Sequence, residues 1–152
     1  MKKHSVSIYK VFALSFFLVI SLLGFTQTSA DIFGKWVTID DKTGKERSEV
    51  EIYKVADKAF GRITRFIENP EKETTERCDE CDEDDDRKDQ LVLGMEIIRD
   101  MELDGDRWED GTILDPEEGK VYSCKIWQED GKLKVRGYIA FFYRTQEWIK
   151  KN

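Results

Sequence analysis

The sequence predicts an all-β domain of about eight short antiparallel strands, and three observations predict it. Apolar and polar residues alternate with period two along several segments, as they do in half-buried strands. Turn-forming clusters rich in Asp and Gly recur at the 8–12-residue spacing of a barrel or sandwich. Gly61 and Gly137 stand inside strand-like segments, where they suggest the bends or bulges that close a small barrel.

The elements follow in order. Trp36 to Ile39 is a short first strand, ended by Asp40-Asp41-Lys42-Thr43-Gly44. From Ser48 to Val55, Val50 and Ile52 face one way and Glu49, Glu51 and Tyr53 the other. Ala59 to Ile67 is rich in Phe, Ile and Thr and follows the turn Ala56-Asp57-Lys58. Leu91 to Leu103 fits both period two and helical spacing. Gly94 disfavours a helix interior by about 1 kcal/mol relative to Ala, so a strand is expected. Arg107 to Leu114 follows the turn Asp104-Gly105-Asp106. Val121 to Trp127 puts Tyr122, Cys124 and Ile126 on one face. Lys132 to Ala140 puts Leu133, Val135 and Ile139 on one face and Lys132, Lys134, Arg136 and Tyr138 on the other. Gln128-Glu129-Asp130-Gly131 joins these two as a hairpin, and Phe141 to Ile149 is the last strand.

The chain has 152 residues, which fits one ordinary domain with a real core. Residues 1–30 read as a secretory signal peptide: Lys2, Lys3 and Lys10, an apolar run from Val11 to Phe25, then the small-x-small site Thr28-x-Ala30. The apolar run is short for a bilayer span, which needs roughly twenty residues. The expected product is a single domain, 31–152, secreted or periplasmic, with no stable membrane anchoring after cleavage. From Asp31 onward there are 22 basic and 32 acidic residues, a balance that argues against nucleic acid as a partner. The only histidine is His4, so a Ser-His-Asp triad, a Cys-His pair and a His-ligated metal are all excluded after Asp31.

The order of motifs resembles the bacterial secreted family known as domain of unknown function 2147. The pieces that carry the resemblance are Gly34-Lys35-Trp36, Val50-Glu51-Ile52-Tyr53, Gly61-Arg62-Ile63, Cys78-Asp79-Glu80-Cys81 and Leu93-Gly94-Met95. Further on come Gly111-Thr112-Ile113-Leu114-Asp115-Pro116, Gly119 with Tyr122, Leu133-Lys134-Val135-Arg136-Gly137-Tyr138, and Arg144-Thr145-Gln146-Glu147-Trp148. The resemblance implies a small antiparallel calycin-like barrel, related in architecture to lipocalins, and it implies no activity. Asp115 and Pro116, in its most specific run, are expected to be structural. In calycin barrels a first-strand tryptophan closes one end under a basic residue from the last strand. Trp36 is that tryptophan here, with Arg144 as the expected partner and Arg136 as the second candidate. Ala140 and Tyr143 stand where the family pattern leads one to expect glycines, and their bulk is expected to narrow the barrel.

The loop from Glu68 to Gln90 holds Cys78-x-x-Cys81 within a strongly acidic stretch. Three readings compete for it. A small-loop disulfide, with Cys124 left as a buried thiol, suits an oxidising compartment and is preferred. A redox motif is opposed by the neighbouring acids, which raise a thiol pKa. Zinc lacks four obvious ligands, and the carboxylates lack the spacing that wraps calcium, so no metal is expected. The acids themselves read as a solvated, self-repelling, mobile loop. A bridge closing so small a loop removes little chain entropy, so Cys78→Ser and Cys81→Ser are expected to have small effects.

Nothing in the sequence assembles a catalytic constellation or a cofactor-binding loop, so an enzyme is not expected and no cofactor is assigned. An eight-stranded barrel is wide enough for packed side chains or one small ligand. The leading expectation is therefore a noncatalytic barrel that binds a small apolar or amphipathic molecule. Arg136 and Tyr138 are the candidate carboxylate clamp, as in fatty-acid-binding barrels, and Tyr122 and Phe60 are further ligand-binding candidates. Two alternatives remain: an envelope or extracellular interaction module using the acidic loop, and a metal- or redox-active module at Cys78 and Cys81.

Overall fold

A computed structural model describes residues 31–151; the expected signal peptide lies outside the described residues. Eight strands run in chain order around one closed antiparallel barrel. They are β1 (Gly34–Ile39), β2 (Glu46–Val55), β3 (Lys58–Phe66), β4 (Glu96–Asp104), β5 (Arg107–Asp115), β6 (Lys120–Glu129), β7 (Lys132–Ile139) and β8 (Phe142–Lys150). A single 3₁₀ turn, Pro70–Thr74, lies in the long β3–β4 connection. Closure pairs β1 with β8, Trp36 opposite Lys150 and Val37 opposite Ile149.

Period two explains the core. Val50 and Ile52 of β2, Cys124 and Ile126 of β6, and Leu133 and Val135 of β7 are all nearly inaccessible to water. Gly61 stands where the β3–β4 register shifts, as its placement inside a strand suggests. Gly137 does something else: its ladders to β6 and β8 run without a break. It makes room instead, since a Cβ there would meet the Tyr122 Cβ at 3.3 Å.

The ambiguous segment divides. The strand is Glu96–Asp104, and residues 91–95 are loop, with Gly94 at φ +87°. Leu91 makes one isolated bridge to Arg77, while Val92 and Met95 turn inward to the core. The buried residues over this stretch, Val92 and Met95, are three apart, so the alternation of Leu91, Leu93 and Met95 does not mark a strand face.

The end of the barrel where β1 begins is sealed by Trp36, which is fully buried. Its indole N–H donates to the Ile32 carbonyl at 2.8 Å, drawing residues 31–33 across that end. Phe33 packs edge-on against Trp108, ring centroids 5.4 Å apart. The cation over Trp36 is Lys150, its Nζ 4.4 Å from the ring centroid and 2.7 Å from the Phe33 carbonyl oxygen. The expected Arg144 is at the other end of β8, bonded to Asp41 at 2.6 Å. The last strand supplies the cation as expected, but closure register selects the residue beside Trp36.

Trp36→Ala should destabilise the fold by about 3–5 kcal/mol in a urea melt, the usual cost of emptying a buried aromatic site. Lys150→Ala should cost much less, about 0.5–1 kcal/mol for an exposed cation–π contact. Equal losses for the two would show that the cation, and not the indole, closes the barrel end.

Candidate functional site

The opposite end of the barrel is open. An eight-stranded antiparallel barrel has a narrow interior, and what it holds depends on the inward side chains. Here a cavity of about 510 Å³ opens between the β1–β2, β3–β4, β5–β6 and β7–β8 connections. Its wall is mostly aliphatic and aromatic: Ile63, Phe66, Val92, Ile97, Ile113, Leu114, Val135 and Ile139, with Trp148 among them. Trp148 is buried, and its indole N–H donates to the Gln146 side-chain oxygen at 3.1 Å. Thr38 and Ser48 share a 2.9 Å hydroxyl–hydroxyl hydrogen bond on the cavity wall. The rim carries both signs of charge, including Arg47, Lys72 and Arg144 beside Glu68, Glu117 and Glu118.

The candidate residues separate by strand parity. Tyr122 faces the cavity, its hydroxyl 3.3 Å from Glu118 Oε2. Arg136 and Tyr138 do not. The inward positions of β7 belong to Leu133, Val135, Gly137 and Ile139, so the alternate residues point outward. The Arg136 guanidinium lies 4.4 Å from the Tyr143 ring centroid and 5.0 Å from that of Trp127, and its Nε donates to Thr145 at 2.6 Å. Tyr138 packs against Tyr143 with ring centroids 5.8 Å apart. Phe60 is likewise on the outer wall, stacked on Tyr53 at 6.2 Å. The expected carboxylate clamp therefore does not form. Ala140 and Tyr143 do not narrow the barrel: Ala140 is in the β7–β8 turn at φ +51°, and Tyr143 is 62% exposed at the mouth.

The cysteine motif and the Asp-Pro motif form one contact. Cys78 and Cys81 are disulfide-bonded, and both are buried. The Cys78 sulfur lies 3.5 Å from the Pro116 carbonyl oxygen. Asp115 Oδ1 accepts the backbone N–H groups of Glu117 at 3.0 Å and Glu118 at 3.3 Å, shaping the β5–β6 turn. Gly119 closes that turn at φ +64°, and a Cβ on it would lie 1.7 Å from the Glu80 carbonyl oxygen. The CxxC turn thus seats directly on the β5–β6 turn at the cavity mouth.

The acids of the loop are mostly solvated, as expected, but the loop is pinned and not mobile. Arg87 is buried and donates to both Asp85 oxygens, at 2.8 and 2.7 Å, and to the Glu96 carbonyl at 3.1 Å. Arg99 of β4 holds Asp86 with two bonds, at 2.6 and 3.0 Å. The Arg87 guanidinium holds the Asp85 carboxyl well below the usual carboxylate range, and Arg99 lowers that of Asp86. A depressed carboxylate pKa stabilises the fold above the unfolded value, near 3.9, and that gain is lost as pH falls through the folded pKa. The loop stays docked across the neutral range. Composition alone hid this, because the cations that neutralise the loop include Arg99, which lies on β4.

Among the described residues, no group of three or more His, Cys, Asp and Glu is gathered as a metal site, and no helix is long and apolar enough to cross a membrane. Cys124 is the free thiol, and burial pushes its pKa far up, so it packs as a small apolar residue.

A closed eight-stranded up-and-down barrel with one sealed end and one open cavity has the architecture of lipocalins. The comparisons agree. The structure matches a solved protein described as "Protein HP1028 from the human pathogen Helicobacter pylori belongs to the lipocalin family", at TM-score 0.68 and 15% identity over 81% of this chain and 84% of that one. That likeness shows the fold. Residues 34–150 match the family described as "Uncharacterized protein conserved in bacteria (DUF2147)", and the chain belongs to this family. No curated protein matches the chain.

Gly119→Ala should cost about 2–4 kcal/mol, from the positive φ and the collision with Glu80 together. Arg87→Ala should release residues 79–90 to limited proteolysis at neutral pH and cost about 3 kcal/mol, the low end for breaking a buried ion pair. A thiol count on unreduced, denatured protein should give one. The buried positions of Cys78 and Cys81 revise the expectation for serine there: each replacement puts a hydroxyl into the core, at about 1–3 kcal/mol if unbonded. Melts indistinguishable from wild type would show that the bridge does not organise this core.

Proposed function

We propose that this protein is a noncatalytic, exported barrel that binds a small apolar or amphipathic molecule in the cavity between Ile63, Ile113 and Trp148. The cavity carries the reading. Its volume of about 510 Å³ falls within the range of small-molecule sites, roughly 300–1,000 Å³. Its wall is apolar with a few hydrogen-bonding groups, the usual make-up of such sites. The disulfide and the signal-like N-terminus support export into an oxidising compartment. The histidine-free domain and the pairing of Arg47, Lys72 and Arg144 with neighbouring acids support binding over catalysis. The site residues in this reading are Tyr122, Ile113, Trp148 and Gln146.

Binding is tested with N-phenyl-1-naphthylamine, a neutral apolar fluorophore. Its emission should rise and shift to the blue on mixing with the wild-type protein, saturating at one equivalent. Ile113→Trp, which fills the cavity from its wall, should reduce the affinity at least about tenfold while leaving the far-ultraviolet spectrum unchanged. An equal response from both proteins would place the probe elsewhere and overturn the reading.

A further inference from the structure

We infer that the cavity selects amphiphiles with a cationic head, in particular an alkylammonium, and rejects those with a carboxylate. This rests on the cavity reading above and names the class of ligand.

A single-chain amphiphile can enter a blind cavity in two orientations. With the head inward, the head meets Gln146, Thr38, Ser48 and the aliphatic wall, where no Lys or Arg among the described residues is placed. A carboxylate so buried would have no counter-ion, a large desolvation penalty. The only cations along the cavity, Arg47, Lys72 and Arg144, are at its rim. With the tail inward, the head meets that rim, and each rim cation already has an acid. Arg47 pairs with Glu117 and lies 4.0 Å from Asp40; Lys72 lies 3.4 Å from Glu76; Arg144 bonds Asp41 at 2.6 Å.

Five acids, Glu68, Glu76, Asp115, Glu117 and Glu118, face those three cations along the cavity, and this excess suits a cation. Glu68 makes no ion pair among the described residues, and Glu118 is shared between Lys120 at 3.2 Å and the Tyr122 hydroxyl at 3.3 Å. Lys120 lowers the Glu118 pKa, so this carboxylate is charged at neutral pH. Two aromatic rings, Tyr122 and Phe142, stand along the same mouth, while the Tyr143 ring already carries the Arg136 guanidinium. Phe142 is 65% exposed, open for a ligand to cover. Carboxylates together with aromatic faces are the chemistry that holds quaternary ammonium groups. The apolar wall below takes the chain.

The test is competition against bound N-phenyl-1-naphthylamine by dodecyltrimethylammonium and by dodecanoate, both kept monomeric, at pH 8 and low salt. The two share one chain and differ in head charge. The ammonium should displace the probe at a concentration roughly fivefold lower than the carboxylate, and high salt should narrow the ratio. Glu117→Gln/Glu118→Gln, on the exposed rim, should bring the ratio toward one, since it removes two of the five acids at the mouth and leaves Arg47 only its longer contact with Asp40. Equal or tighter binding of dodecanoate to the wild type would overturn the inference and leave the cavity reading standing. A ratio unchanged in the double variant would also overturn it. So would dodecyltrimethylammonium binding to Ile113→Trp as tightly as to the wild type, because adsorption to the acidic surface would then be its cause. Failure of the probe itself to bind would remove the cavity reading and the inference together.

Discussion

Closure of the barrel at the β1–β8 seam is the constraint from which the rest follows. β1 has six residues and meets β8 over two paired positions, so its ladder alone is short. Trp36 supplies what the ladder lacks. Its ring is buried, its N–H fixes the Ile32 carbonyl, and Lys150 from the far side of the seam lies over the ring and bonds the Phe33 carbonyl. One aromatic side chain thus joins both seam strands and the segment that crosses the barrel end. An unclosed sheet would leave β1 and β8 as bare edges and would enclose no cavity.

The open end is organised by a second contact. A long β3–β4 connection at the mouth would be a liability if it were free, since it carries the chain's densest acidic run, Asp79 to Asp86. Instead the Cys78–Cys81 turn rests on the Asp115–Gly119 turn, and Arg87 and Arg99 neutralise Asp85 and Asp86 against β4. The loop contributes Glu68, Lys72, Glu76 and Val92 to the cavity wall and rim. Of its acids, Glu68 and Glu76 stand at the cavity mouth, while Asp79, Glu80, Asp82, Glu83 and Asp84 face solvent outside the cavity lining. With both sulfurs in a disulfide, the thiolates that a metal site would need are absent.

The strands and their faces were legible because period two depends only on neighbours in sequence. Val50, Ile52, Cys124, Ile126, Leu133 and Val135 are inward as the alternation requires. The disulfide was legible from spacing and compartment. The site was harder to read. Parity already set Arg136 and Tyr138 opposite Leu133 and Val135, yet the Arg-x-Tyr resemblance made them candidates, and the structure follows parity. Lys150 was hidden because its meeting with Trp36 depends on closure register, which no local pattern specifies. Gln146 and Trp148 were hidden for the related reason that the depth of a residue in a barrel is set by strand tilt and stagger. Gly119 carried a readable signal as a turn glycine, but its contact with Glu80 joins segments far apart in sequence.

The central claim is that the barrel holds a ligand rather than a filled core. A crystal structure of the protein soaked with a bromine-terminated alkane, with data collected at the bromine absorption edge, tests it most directly. The account predicts an anomalous peak inside the barrel, between Ile63, Ile113 and Trp148, with the side chains of Leu133 and Trp36 unmoved. An interior closed by shifted side chains, with bromine found only on the outer wall, would contradict it.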